Sequence, residues 1–391
     1  MTTTQVRGRL VTPTGVVEDG LVVVTASVIE YVGPAAAATA PTDRSATVTV
    51  PHDGYVLPGL VDVHDHGGGG ASFTAGEADQ IATATSEHAL HGTTTMLAST
   101  VTDAPDRMLQ AVAALAEAVG RGELAGIHVE GPFLAASRCG AQDPRFLADP
   151  DVGFIRDLID AAQGHLKSMT IAPELAGADE VIDRLFQHGV VPAVGHTDAD
   201  AGRVRETLAR THAALGRPGL VTHLFNGMSP LHHRDPGPVA GALTAAADGD
   251  ALVELIADGV HLHDDTIRMV FRLLGPDRVG LVTDAMAAAG MPDGDYELGS
   301  QQVTVDDGIA RIGSDGPLAG GTAHLLDVVR RCVRAGVDIV DAVTAATRTP
   351  ARAAGLGGTA GVLAPGGRAD LVITDANLRP VAVMRAGDWL G

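Results

Sequence analysis

The sequence predicts an α/β protein, a (β/α)8 TIM-type barrel with a small β-sandwich formed by the N- and C-terminal segments. Three observations predict it. Eight short apolar strand patterns recur between residues 59 and 283, and helical patterns separate most of them. The two chain ends share a different, β-rich texture, broken by Gly, Pro, Asp and Thr. His, Glu or Asp stands at the C-terminal end of all but one of the middle strands, the face on which barrel sites are built.

In chain order, residues 6–11, 21–29 and 46–50 read as strands, and the Ala- and Pro-rich stretch 34–41 reads as a loop. The tail repeats this texture in Asp370-Leu-Val-Ile-Thr and Pro380-Val-Ala-Val-Met. Residues 1–56 and 357–391 are therefore assigned to the sandwich, and 57–356 to the barrel. The eight barrel strands fall at 59–64, 93–99, 126–130, 168–172, 190–195, 220–224, 251–257 and 279–283. Helices are expected over 78–91, 104–120, 152–164, 178–188, 200–215 and 264–274. Residues 225–250 read mostly as loop with a short Ala-rich helix, 296–312 as a hairpin-like insert, and 323–335 as a further helix.

Composition narrows the chemistry. With 391 residues and 45% hydrophobic content the chain can build a large core. A net charge of -21 argues against nucleic acid or an anionic membrane as partner. An anionic substrate would need a local cluster of Arg, His or backbone N–H groups. Of the 27 basic residues only Lys167 is a lysine, so lysine chemistry has a single candidate. The two cysteines, Cys139 and Cys332, are far apart in sequence and suit a reducing compartment. The polar start lacks a signal-peptide pattern, and no run reaches the roughly 18 apolar residues of a membrane span. A cytoplasmic protein is expected.

The strand ends carry the functional signal. His64 and His66, at i and i+2 on one strand, project to the same face, and Gly67 to Gly70 follow them. Other ends present Glu130, Glu174, His196, His223, the Asp258-Gly-Val-His261 stretch and Asp284. Several imidazoles with one carboxylate suit Zn2+ first, with Fe2+, Mn2+ or Co2+ as alternatives, as one or two ions. A metal lowers the pKa of bound water to roughly 7, and a neighbouring carboxylate can move its proton. Asp284 is the candidate for that work, against the blander reading of a turn cap.

The motifs Asp62-Val-His-Asp-His-Gly, His128-Val-Glu-Gly-Pro-Phe, Ala172-Pro-Glu, Val194-Gly-His-Thr, Thr222-His-Leu-Phe-Asn-Gly, Asp258-Gly-Val-His and Thr283-Asp-Ala-Met-Ala stand in an order that resembles the amidohydrolase superfamily. Within it the chain looks like the N-acetylglucosamine-6-phosphate deacetylases, over nearly its whole length. The resemblance implies hydrolysis of the acetamide of a phosphorylated amino sugar, as in amino-sugar catabolism and cell-wall recycling. It implies that Glu130, His196 and His223 hold the main metal. His64 and His66 complete a second position bridged by Glu130, although some members of the family lack this pair and use one ion. Asp284 becomes general base and acid. Asn226, Gly227 and His261 meet the sugar phosphate, and Arg234 pairs with it across a homodimer interface. Leu318, Ala319 and Gly320 line the sugar end, and Ala141 with Gln142 lie near the acetamide. A sister activity on N-acetylgalactosamine 6-phosphate is the nearest alternative.

Two positions depart from the family pattern. Gln142 stands where the family usually has the histidine credited with polarising the amide carbonyl. Losing one such donor typically costs roughly 3 kcal/mol of transition-state stabilisation, which implies a weakened or inactive variant or a shifted substrate. Gly227 stands where alanine is more usual. Among the other polar residues, His128 reads as a packed core group. His88, His91, His165, His188 and His212 read as helix-surface or cap residues, and Cys139 as an incidental thiol. Glu174 reads either as a ligand-orienting or as a structural carboxylate, and His232 with His233 as loop residues.

Overall fold

The computed structural model describes residues 3–38, 45–313 and 315–391. Eight parallel strands form the centre: β1 (Leu60–Asp65), β2 (Thr93–Thr100), β3 (Gly126–Glu130), β4 (Leu166–Ile171), β5 (Val191–Val194), β6 (Gly219–Val221), β7 (Ala251–Leu255) and β8 (Val279–Leu281). Each pairs with the next in sequence. Nearly every residue in them is buried, because helices cover one face and side chains from the opposite wall fill the other. That is why they read as continuous apolar runs.

The seam between β8 and β1 closes only at its C-terminal end. Asp65 and Ala285 form an isolated parallel bridge. The Asp284 N–H donates to the His64 carbonyl at 2.9 Å, and the His66 N–H to the Ala285 carbonyl at 2.8 Å. Below them the Thr283 hydroxyl donates to Asp62 at 2.7 Å. Closure therefore locks the two strand exits that carry His64, His66 and Asp284 onto each other.

Eight helices surround the barrel: α1 (Ala78–Leu90), α2 (Pro105–Gly120), α3 (Val152–Ala161), α4 (Ala178–Gln187), α5 (Ala201–Leu215), α6 (Gly237–Asp248), α7 (Asp264–Leu274) and α8 (Leu325–Arg334). Local chemistry sets their ends. Asp151 caps α3 by accepting from Gly153 N–H and Phe154 N–H, and Asp200 caps α5 by accepting from Arg203 N–H. The segment expected to be mostly loop holds a full 12-residue α6, because Val239, Ala242, Ala245 and Ala246 give it a continuous buried face. Two short helices without a counterpart in the sequence reading follow, α9 (Ile339–Ala345) and α10 (Arg348–Ala353). The Val61 N–H donates to the Ala346 carbonyl at 2.9 Å, so α9 ends against the first barrel strand.

The insert after β8 is a three-stranded meander, Gly294–Leu298, Gln301–Asp306 and Ile309–Ile312, where a hairpin was expected. Leu298, Val303, Val305 and Ala310 pack on Val101, Met286 and Ala319, which places the insert over the C-terminal mouth of the barrel. The terminal strands join in one eight-stranded sheet, in which Tyr55–Pro58 pairs with Leu371–Thr374 and so links the two chain ends. Val6, Leu10, Val22, Val24 and Ile29 share a core with Leu371, Ile373 and Met384. Part of the loop expected at 34–41 lies outside the described residues. Among the described residues no helix is long and apolar enough to cross a membrane.

Candidate active site

Side chains from five strand exits converge at the C-terminal mouth. Glu130 ends β3 with its carboxylate buried. Its Oε1 lies 3.0 Å from His196 Nε2 and 3.0 Å from His223 Nε2, and those two nitrogens are 3.1 Å apart. Its Oε2 lies 3.3 Å from His66 Nε2. The Nε2 atoms of His64 and His66 are themselves 3.1 Å apart. Asp284 Oδ1 faces them at 3.3 Å and 3.2 Å. Two overlapping groups result, His64–His66–Glu130 and Glu130–His196–His223, with the ligand atoms of each within 4.8 Å of one another.

The donor chemistry fits a cation. The His196 Nδ1–H donates to the Arg138 carbonyl at 2.7 Å, which leaves Nε2 a lone pair aimed at a carboxylate oxygen. The His64 Nδ1–H likewise donates to Glu254 at 3.0 Å, so its Nε2 also presents a lone pair. Lone pairs converging at such distances repel unless a positive charge lies between them. With no cation in place, protonated imidazoles would have to supply that charge: burial would push the Glu130 carboxyl up, but a charged His196, with hydrogen bonds from His196, His223 and His64, would hold it well below the usual carboxylate range. Asp284 behaves alike. Burial opposes ionisation, but in that cation-free state the charge of a protonated His64 and the His66 hydrogen bond bring it down to about 2.

Backbone strain marks the same exits. His196, His223 and Asp284 have φ of 47°, 28° and 47°, in the left-handed region that non-glycine residues avoid. Such residues cost about 1–3 kcal/mol each and persist where the surroundings fix them. Gly227 has φ 60°, and a Cβ there would stand 2.8 Å from His196 Nδ1. The departure from the family pattern at this position thus leaves room for the His196 ring.

A cavity of about 330 Å³ opens on the cluster. Gln142, Asn226, Gly227, His261, Asp284 and Leu318 line it, as do Ala141 and Gly320. Ala319 lies beneath, fully buried, and Arg234 does not line it. Arg234 sits on an exposed loop, where its guanidinium contacts His233 at 2.9 Å. Among the described residues, the cavity lining contains no Arg or Lys. His261 donates from Nδ1 to Asp258 at 2.8 Å. A larger cleft, about 570 Å³, opens between the insert and α1–α2, and none of the five clustered ligands lines it.

These observations meet comparison with known proteins. Residues 55–390 match the amidohydrolase family. The chain belongs to that family. It is 34% identical over 352 residues to N-acetylglucosamine-6-phosphate deacetylase of Bacillus subtilis, covering 88% of this chain and 86% of that one. It is also 34% identical over 377 residues to N-acetylgalactosamine-6-phosphate deacetylase of Escherichia coli O157:H7, covering 95% and 94%. The solved N-acetyl-D-glucosamine-6-phosphate deacetylase of Mycobacterium smegmatis is 39% identical over the whole of both chains, with a TM-score of 0.91. A variant of that enzyme in complex with N-acetyl-D-glucosamine-6-phosphate matches equally well.

The amidohydrolase cluster has supports that the sequence reading missed. Glu254, the penultimate residue of β7 and fully buried, binds His64 from below. Its signal was an acidic residue inside the apolar run Ala251-Leu-Val-Glu-Leu. Glu174 does not reach the cluster. It accepts from the Thr197 hydroxyl at 2.5 Å and the Asp198 N–H at 2.6 Å, and so fixes the loop after His196. His128 is packed as expected, between the Ser99 and Thr170 hydroxyls at 2.9 Å and 2.8 Å. Burial chiefly, reinforced by any positive charge beside it at His64, holds its imidazole well below its ordinary value, hence neutral.

His88 corrects the expectation of a surface residue. It is fully buried, with Nε2 3.0 Å from the Gly67 carbonyl and 3.2 Å from Asp65, because Gly68 leaves space where a Cβ would sit 2.6 Å away. Lys167 is the second residue of β4, at the N-terminal end of the barrel, remote from the cluster. A third group, Glu87, His91 and His324, lies between α1 and α8. Its two rings stack at 3.6 Å and 11°, so their nitrogen lone pairs lie in nearly parallel planes.

Proposed function

We propose that the protein hydrolyses the acetamide of N-acetyl-D-glucosamine 6-phosphate to D-glucosamine 6-phosphate and acetate. The observation that carries this reading is Glu130 Oε1 at 3.0 Å from both His196 and His223, with Asp284 facing the same cavity. The named relatives in the amidohydrolase family support the substrate. Glu130, His196 and His223 would hold one divalent cation, and His64 with His66 a second that shares Glu130. Zn2+ suits these imidazole and carboxylate donors first, with Fe2+, Mn2+ and Co2+ as alternatives. Such a cation supplies Lewis acidity and brings the pKa of bound water to about 7.

The residues of this chain do the rest. Asp284, ionised beside His64 and His66, takes the proton of the attacking water and returns it to the departing nitrogen as the amide C–N bond breaks. Gln142 offers a neutral N–H near the acetamide carbonyl. His261 and the Asn226–Gly227 turn would meet the phosphate. Because no arginine among the described residues lines the cavity, the strong cationic partner would be Arg234 of a second copy, in a homodimer. With two free cysteines and this substrate, we place the enzyme in the cytoplasm.

N-acetylgalactosamine 6-phosphate is the second reading, favoured by the Escherichia coli relative. Acetate release from both phosphosugars, and from unphosphorylated N-acetylglucosamine, tests the assignment with protein stripped of metal and reloaded with Zn2+. The glucosamine phosphate should be turned over fastest and only after reloading. No release from any of them, with Zn2+, Fe2+, Mn2+ or Co2+, would sink the deacetylase reading.

A further inference from the structure

We propose that Gln142 is a positioning residue that acts through Glu130, holding its carboxylate between the two histidine pairs. This rests on the reading of Glu130 as a metal ligand. The Gln142 side chain is almost fully buried. Its amide can be oriented without ambiguity, because the Thr102 backbone N–H has only a proton to give and lies 2.8 Å from Oε1. Oε1 is therefore the acceptor, and the NH2 group points at Glu130 Oε2, 2.6 Å away.

Thr102 completes a ring. Its hydroxyl donates to the Glu130 backbone carbonyl at 3.1 Å. Residue 102 thus grips both the backbone of Glu130 and the amide that grips its side chain. The Gln142 loop is pinned as well. Its own N–H donates to the Cys139 carbonyl at 3.0 Å. The neighbouring Asp143 accepts from the Ser300 hydroxyl at 2.5 Å, which ties the loop to the insert.

The terminal torsion of a glutamate is broad, so nothing intrinsic to Glu130 fixes the plane of its carboxylate. To serve both pairs, Oε1 must stay with His196 and His223 while Oε2 stays with His66. The Gln142 N–H takes one lone pair of Oε2 and leaves the other toward His66. A freed carboxylate would turn and abandon one side. In an amidohydrolase where the family usually carries histidine, Gln142 thus has a task that needs no positive charge. Its second N–H stays available to a substrate oxygen.

Zinc affinity and stoichiometry, read by chelator competition on metal-free protein without substrate, test this directly. Gln142→Leu and Gln142→Met are near in size and lack the donor. Both should bind Zn2+ roughly 10- to 100-fold more weakly than wild type, the range typical of lost outer supports of metal ligands. Their kcat should fall with KM nearly unchanged. Gln142→Glu, which sets acceptor against acceptor, should weaken binding further. Melting curves select among these variants those that remain folded. Folded variants with zinc affinity within about twofold of wild type, and only kcat reduced, would show that Gln142 serves the substrate alone and overturn the proposal. Weakened zinc binding in a protein that releases no acetate would sustain the positioning role while the deacetylase reading fell. Absence of zinc binding by wild type would remove the metal reading on which both rest.

Discussion

The Oε2 atom of Glu254 accepts the His64 Nδ1–H at 3.0 Å, and the same oxygen accepts the backbone N–H of His223 at 3.2 Å. One buried atom on β7 thus holds a side chain from β1 and the strained exit of β6. Ligand-binding histidines commonly give their second N–H to a carboxylate, which fixes ring and tautomer. Here that support reaches one member of each histidine pair. Glu254→Gln keeps an acceptor oxygen and should bind Zn2+ within a fewfold of wild type. Glu254→Leu should lose about 10- to 100-fold in affinity. It should also lose about 1–3 kcal/mol of stability for each donor left buried and unpaired. Chelator competition and urea melts of the metal-free protein measure the two effects separately. Equal affinity in both variants would show that the carboxylate does not set the His64 ring.

Much of this site was legible because a barrel puts its chemistry at strand ends. His64, His66, Glu130, His196, His223 and Asp284 each interrupt or end an apolar run, which is why the sequence exposes them. Glu254 escaped because it stands not at the end of the apolar run but inside it, where only its partners reveal a purpose. His88 was misread because helical periodicity cannot tell a polar residue on a solvent face from one aimed at a glycine turn. The positive φ of His196, His223 and Asp284 has no sequence signal, since tertiary contacts impose it on residues that would otherwise avoid it. The helix α9 escaped because Ile339-Val and Thr344 weigh against helix locally, while packing on the barrel decides in its favour.

His261 gives the site a pH dependence with a definite sign. Burial lowers its pKa, but the hydrogen bond and charge of Asp258, with Asp284 facing it from the β8 exit, raise it above the ordinary value near 6.5. Asp258 is correspondingly held down, chiefly by that same imidazole against the effect of burial. A raised folded-state pKa means that the charged pair contributes in full below about 6.5 and is lost as pH rises through the raised value. If charged His261 meets the phosphate, KM for the phosphosugar is flat in mild acid and climbs above neutrality. Asp258→Asn removes the larger raising partner, so the climb should begin at lower pH. Steady-state kinetics from about pH 6 to about 9 show the shift. Coincident KM profiles in wild type and variant would remove His261 from phosphate binding.

The role proposed for Arg234 requires a second copy, and mixing experiments can separate action within a subunit from action between subunits. Alone, Arg234→Ala should raise KM for the phosphosugar strongly, because a guanidinium–phosphate pair has no substitute among the described residues of the cavity, which include no Arg or Lys. Alone, Asp284→Asn should lower kcat by about 10²- to 10⁴-fold, the usual worth of a positioned acid and base. In a hybrid dimer of the two variants, one site combines an intact Asp284 with Arg234 lent by its neighbour. Unfolding and refolding an equal mixture should therefore restore roughly a quarter of wild-type activity at low substrate, given random pairing of a twofold dimer. If Arg234 served its own subunit, every hybrid site would lack one group or the other. The mixture would then be no more active than the average of its parts, and the shared site would be rejected even if the protein is a dimer.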